Sequence, residues 1–396
     1  MPLKLNTPDQ RYTDSIGQII ENKEAYAGQR AIHKAGVKYL TPLSNMDLRT
    51  REGMAEYIEY KGRTLFPNFV SKTVEGMTGL IFRKAPVNKL PKQLEYMLTN
   101  ATATGKSLKD VEKMISTELM LTDCVGVKVS LPQADKSIVS ALDAEKKNIR
   151  PYITIHEAED IIKVFYDIYN NIEMISLVVL REKALDKSDE FNRKTEFNYT
   201  VLDLVDFGDS LPVYRERRYD KNCVMIKDSE IFPTIQGEFF NEIPFRLADI
   251  NGGTKASVED LTKANINYYK MNGPYTDGVY RCGFAVPTVT GVAPESVPTA
   301  FGPSEILFAE SKDAKFGMLE STAGGADKAE RFLKNLENLM AALGANMLNP
   351  SKMVAETAES KKLDHQSQAS VLSMVSDTTQ DTVQWAVDLS SKWMGI

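Results

Sequence analysis

Apolar residues recur at spacings of three and four over residues 9–28, 52–82, 90–100 and 107–122, which predicts amphipathic helices in the first third of the chain. The densest pattern runs from Tyr57 to Pro86, YIEYKGRTLFPNFVSKTVEGMTGLIFRKAP. There, aromatic and aliphatic positions alternate with Lys61, Arg63, Lys72, Arg83 and Lys84, and Gly62, Gly76 and Gly79 punctuate the run. One or two helices are expected over 52–82. Pro86 closes the pattern, because proline has no N–H to give and disfavours helix in the residue before it. Taken alone, this segment reads as a core helix pair.

From residue 124 the period changes to two. CVGVKVSL (124–131), PYITIHE (151–157), ISLVVLRE (175–182), FNYTVLDLV (197–205) and VYRERRYD (213–220) alternate β-branched and aromatic residues with polar ones, as strands do. Polar links, including 143–148 and 184–194, predict loops, and the short spacing predicts an antiparallel meander. Helical spacing returns after residue 257. Ser257 with Asp260 three residues later forms a capping-box pattern. The helix it opens reaches Gly273-Pro274, where ending and continuing to Arg281 are both open. Pro287, Pro294, Pro298 and Pro303 then forbid a long helix, while PTVTGV and EILFAE read as short strands. From Asp327, Phe332, Leu336, Leu339, Leu343 and Met347 define an amphipathic face flanked by Leu333 and Met340, ending near Asn349-Pro350. A last helix is expected over 366–394, with Trp385, Leu389 and Trp393 on one face. Helices, then strands, then helices make the class α+β.

Composition narrows the function. The 396 residues suffice for two or three domains, and 42% hydrophobic with 26% charged residues is the balance of a globular protein. The net charge of −6 argues against a tight nucleic-acid clamp, which needs lysine and arginine to replace counterions, and leaves open a surface along which DNA slides without being held. Three cysteines, Cys124, Cys223 and Cys282, with no CxxC pair point to a reducing compartment and away from structural zinc. The N-terminus carries no apolar signal-peptide core, and apolar runs such as Ser176–Leu180 are too short for a bilayer, so a soluble protein made in the cytoplasm, without a membrane partner, is expected.

Chemistry-bearing motifs are weak. TGKS (104–107) has Asn100 where a phosphate loop needs its first glycine, so Gly105 reads as a turn and Ser107 with Asp110 as a helix cap. His33, His156 and His365 stand in different zones without metal-ligand spacing, and His156 reads as a structural or exposed strand histidine. Glu157, Glu159 and Asp160 read as a solvated strand edge. No nucleophile elbow or dinucleotide loop occurs. No enzymatic activity, cofactor or metal is expected.

Several segments, taken in order, resemble the tailed-bacteriophage portal proteins of the DUF4055 family. They are AGQRAIHKAGVKYLTPL (27–43), the Tyr57–Pro86 run with Arg63, Asn68, Thr73, Gly76 and Gly79, GKSLKD (105–110), VGVKVSLP (125–132) and RPYITIHEAEDII (150–162). LVVLREK (177–183), EIPFRLADINGG (242–253), LTKANINYYKMNGPYTDGVY (261–280), FAVPTVTG (284–291), LGANML (343–348) and VAETAES (354–360) follow. The likeness covers about 27–396; the first 26 residues carry little of it, and Phe301-Gly302-Pro303 matches the family's glycine pattern only in part.

The resemblance implies a phage portal fold: a wing of helices plus antiparallel sheet over 1–256, a stem helix over 257–283, a small α/β clip over 284–324 and a second stem helix over 325–348. A tunnel-loop region over 349–363 and a C-terminal wing or crown helix over 364–396 complete it, with any crown small or absent. It further implies a homo-oligomeric ring, typically dodecameric, at one capsid vertex of the virion, assembled in the host bacterial cytoplasm. Double-stranded DNA would pass through its channel during packaging and ejection. Major capsid or scaffold proteins, the terminase large subunit and head–tail connector (adaptor) proteins would be its partners. Asn349, Pro350, Ser351 and Lys352 would face DNA, and Arg63, Arg83 and Lys84 would contact neighbouring subunits or the capsid. Two alternatives stand beside this reading: a nucleotide-binding enzyme built on TGKS, and another minor head or connector protein.

Overall fold

The computed structural model describes residues 5–84, 86, 88–130, 149–185, 195–206, 211–235, 237–253, 255–282, 286–291, 313–319, 324–344 and 358–396. Its helices are α1 (Gln10–Ala27), α2 (Gln29–Ala35), α3 (Arg51–Arg63), α4 (Phe69–Ile81), α5 (Met97–Asn100), α6 (Leu108–Thr122), α7 (Glu259–Cys282), α8 (Gly324–Leu343) and α9 (Ala358–Met394). Its strands are β1 (Cys124–Ser130), β2 (Tyr152–His156), β3 (Ile161–Tyr169), β4 (Ile172–Leu185), β5 (Thr195–Val205), β6 (Val213–Tyr219), β7 (Thr234–Ile235), β8 (Glu238–Phe239), β9 (Phe245–Asp249), β10 (Val286–Thr290) and β11 (Lys315–Leu319). The mixture of helix and antiparallel sheet is α+β, as the periodicity predicts. The chain forms two compact units, one from Met1–Lys23, Lys72–Glu259 and Met347–Ile396, the other from Glu24–Ser71 and Asp260–Asn346.

The first unit is organised by α6 and β1. Leu108, Val111, Ile115 and Leu119, spaced three and four apart, are all buried. Asp123, in the left-handed conformation, ends α6 and turns the chain into β1, whose residues are all buried. β1 is central, paired antiparallel with β2 and β9. Val383, Ala386, Val387 and Leu389 of α9 pack into the same core.

A second sheet of this unit has the order β3-β4-β5-β6, an antiparallel meander. Val164, Val178, Leu180, Leu202 and Tyr214 face the core shared with β1. Ile162, Val179, Val201 and Tyr219 face the other way, where Tyr12 of α1 covers them. The β3–β4 turn, Asn170-Asn171, has both φ angles positive, as a two-residue type I′ hairpin requires. β4 pairs with β5 only from Leu177 onward, so residues 165–176 form a two-stranded arm.

Three expectations are corrected here. The strands do not form one meander: β1 and β2 join β9 in a separate sheet, because a short turn at Ala158–Asp160 parts β2 from β3. β3 and β9 are additional strands, the first hidden as the tail of the 150–162 segment and the second only five residues long. Residues 90–100 form a 3₁₀ turn at Lys92–Leu94 and the single-turn α5, since Pro91 interrupts the helix.

The second unit contains α2, α3, nearly all of α7, α8 and the β10–β11 ribbon. The 52–82 pattern is two helices, α3 and α4, parted at residues 64–68. α7 pins that break. Asn265 accepts from the Phe69 N–H (3.1 Å) and donates to the Pro67 carbonyl (2.9 Å), and Asn272, two turns on, donates to the Leu65 carbonyl (3.0 Å). α7 begins two residues after Ser257 and runs unbroken through Pro274 to Cys282, which decides the question left open by the sequence. Gly273 lets α3 approach: a Cβ there would lie 2.5 Å from the Tyr60 hydroxyl oxygen.

In α8 the expected apolar face splits. Leu333, Leu336 and Met340 are buried, whereas Phe332, Leu339 and Leu343 are exposed. β10 matches the PTVTGV strand, and its partner is β11; EILFAE lies outside the described residues.

Candidate functional site

The TGKS segment is a turn and a cap. Gly105 holds φ +84°, and Ser107 and Asp110 exchange hydrogen bonds: the Asp110 N–H donates to Ser107 Oγ (3.2 Å) and the Ser107 N–H to Asp110 Oδ2 (3.1 Å). The Lys106 ammonium rests 3.1 Å from the Met114 sulfur. The side chains a phosphate loop would turn toward its ligand are thus engaged within the helix start.

The other candidate groups are interior and satisfied. His156 is buried beside the Lys128–Glu216 ion pair (2.7 Å), which joins β1 to β6 and receives the Tyr214 hydroxyl (3.1 Å) and Arg218 (3.2 Å). Burial, then the Lys128 ammonium, lower His156 to about 4, so the ring is neutral. Burial pushes the Cys124 thiol up to about 11, away from thiolate chemistry. Among the described residues no His, Cys, Asp and Glu grouping could hold a metal ion.

Glu157 is exposed as expected, whereas Glu159 and Asp160 are partly buried, and all three are paired, which corrects the reading of a merely solvated edge. Lys23 of α1 reaches Glu157 (2.6 Å), Glu159 (2.7 Å) and Glu118 of α6 (2.8 Å). Burial opposes its charge, yet the three carboxylates hold the ammonium well above its ordinary range. Asp160 pairs with Arg181 at 2.9 Å. Lys23 stands 95 residues before Glu118, so no local spacing announces this cluster.

The three basic residues assigned to subunit contact differ in their surroundings. Arg63, at the end of α3, meets Asp277 of α7 (2.9 Å) and stacks 4.4 Å over the Tyr280 ring; Arg281 also meets Asp277 (2.8 Å). Its guanidinium is therefore engaged within its own chain. Arg83 and Lys84 are exposed just after α4. Asn349, Pro350, Ser351 and Lys352 lie outside the described residues.

The first unit carries open grooves, of which two border exposed apolar segments. One, of about 570 Å³, lies between the segment after α4 and the helices α6 and α9, with Phe82, Leu90 and Val387 in its walls and Lys84 and Lys89 at its edge. The other, of about 810 Å³, runs beside the 165–176 arm and ends at Lys392 and Ile396. The arm exposes Phe165, Tyr166, Ile168 and Ile172, and Ile168 is 74% accessible. In the second unit α3 exposes Met54 and Ile58, one turn apart. Among the described residues no helix is long and apolar enough to cross a membrane.

Residues 257–394 match the family described as "Domain of unknown function (DUF4055)". The matched region spans α7, the β10–β11 ribbon, α8 and all of α9. No curated protein matches the chain.

Proposed function

We propose that this chain is a portal subunit. Copies form a ring at one capsid vertex, DNA passes through the central channel during packaging and ejection, and the ring docks the terminase large subunit and the head–tail adaptors. The observation that carries the reading is the order helix, β-ribbon, helix of α7, β10–β11 and α8 inside the DUF4055 match, with Phe332, Leu339 and Leu343 of α8 exposed on a stripe beside its buried residues. In this reading α7 and α8 are the stem, the 284–324 segment the clip and 349–363, with Lys352, the tunnel loop. The remainder, 1–256 and 364–396, is the wing. Exposed apolar positions on a stem helix are covered by the neighbouring subunit, as head-to-tail contacts in a closed ring demand. The net charge of −6 fits a channel that must not grip a polyanion.

Gold-labelled chain in phage particles tests the proposal. Label at a single vertex is expected; label spread uniformly over the capsid contradicts it.

A further inference from the structure

The arm and the smaller groove of the first unit are complementary. Between Lys163 and Arg181 the chain has no basic residue, and the arm carries Asp167 and Glu173, both exposed, beside Phe165, Ile168 and Ile172. The Tyr169 phenol is raised by burial and then by the carboxylates of Asp167 and Asp206, which reports the negative field at the arm. β3 is an edge strand. Its first half is closed by Asp9, whose N–H donates to the Ile162 carbonyl (3.2 Å) and whose carboxylate accepts from the Val164 N–H (3.1 Å). Residues 165–169 have no strand partner on that side among the described residues, an open and apolar edge of the kind proteins otherwise cover.

The groove has the opposite character. Between Glu75 and Glu95 the chain has no acidic residue, and exposed Lys84 and Lys89 line the groove. Its walls are mixed: Phe82, Leu90 and Val387 are apolar, while Asn88, Thr379 and Gln384 are polar. Glu112 lies in it: one carboxylate oxygen accepts from Asn88 (3.1 Å) and the other is buried with no hydrogen-bond partner among the described residues. The arm's tip is Asn170-Asn171, two amides able to donate.

Within one chain the two features lie beside different stretches of α9, the groove near Val383 and the arm's own groove at Lys392, about 14 Å along the helix at 1.5 Å per residue. The arm of the same chain therefore does not fill the groove.

We infer that the 165–176 arm of one copy seats in the 82–90 groove of a second copy, with Asp167 and Glu173 against Lys84 and Lys89. The contact is head-to-tail, so it can propagate around a ring. It rests on the ring proposed above, and it supplies a wing-to-wing interface to that ring.

A charge-swap complementation tests it. One variant carries Asp167→Lys with Glu173→Lys; the other carries Lys84→Glu with Lys89→Glu. All four positions are exposed, and circular dichroism melting checks that each variant folds. Each variant alone should self-associate at least about tenfold more weakly than the wild type in sedimentation velocity, since like charges then face each other. A 1:1 mixture should regain wild-type association, because each reversed arm meets a reversed groove. Variants that associate like the wild type, a mixture that gains nothing, or a wild-type chain that stays monomeric at every concentration overturns the inference. Micrographs of the same samples separate the two ideas. Annuli from both variants alone leave the ring standing and remove this interface; restored association without annuli keeps the interface and removes the ring.

Discussion

Nη2 of Arg63 donates to Oδ1 of Asp277 over 2.9 Å, joining the end of α3 to α7 across 214 residues of sequence. Asp277 is almost fully buried and also receives Arg281. Removing one member of such a network leaves a buried charge incompletely paired. Arg63→Ala should destabilise the chain by about 2 kcal/mol in urea unfolding, and Asp277→Asn by more, since two guanidinium groups lose their carboxylate. A double-mutant cycle should return a coupling of about 1 kcal/mol or more. Arg63 thus reports on subunit stability, whereas exposed Arg83, under the proposed ring, is expected to report on assembly. Arg83→Glu should leave the melting temperature within a degree or two and weaken association.

Lys23 is shared by Glu118, Glu157 and Glu159. Lys23→Met removes the cation and leaves three carboxylates together. A loss of about 2–3 kcal/mol is expected, below that of a fully buried pair because Glu157 is half exposed. Adding Glu118→Gln should recover part of the loss, as measured by thermal unfolding.

Gly273 faces Tyr60, whose hydroxyl is buried without a hydrogen-bond partner among the described residues. Gly273→Ala gains helix propensity but drives a Cβ to 2.5 Å from that oxygen. The clash should win, with a net loss of about 1–2 kcal/mol. Tyr60→Phe alone should be near neutral, and in the Gly273→Ala background it should restore part of the stability.

His156 makes stability depend on pH. Its ordinary pKa is near 6.5 and burial, then Lys128, lower it to about 4 in the folded chain. Between these values the unfolded state binds more protons, so stability is full above pH 6.5 and falls as pH drops toward 4. The loss from this group reaches at most about 3 kcal/mol. Replacing it, as in His156→Phe, should flatten the unfolding free energy between pH 6.5 and 4 relative to wild type.

Local signals located most elements. Ser107 and Asp110 announce α6, and the strands β1, β2, β4, β5 and β6 follow from alternation. What the sequence withheld depends on contacts between distant residues. β1 alternates like an edge-exposed strand, yet α6, α9 and the inner face of the β3–β6 sheet pack into one core with it and leave none of its residues exposed. Phe332 and Leu336 sit four apart on α8 and read as one face, but packing buries only Leu336. Nothing near Arg63 indicates Asp277, and nothing near Glu157 indicates Lys23. The candidate groove is similarly hidden: Arg83 and Lys84 stood out as basic, but the apolar walls behind them come from α6 and α9. The arm was masked because β3 read as the end of its preceding segment.

The ring is the central claim, and electron micrographs of the purified chain test it most directly. Closed annuli of uniform diameter with a central hole wide enough for duplex DNA are the predicted result. A monodisperse monomer, a closed dimer or open filaments at all concentrations would contradict it.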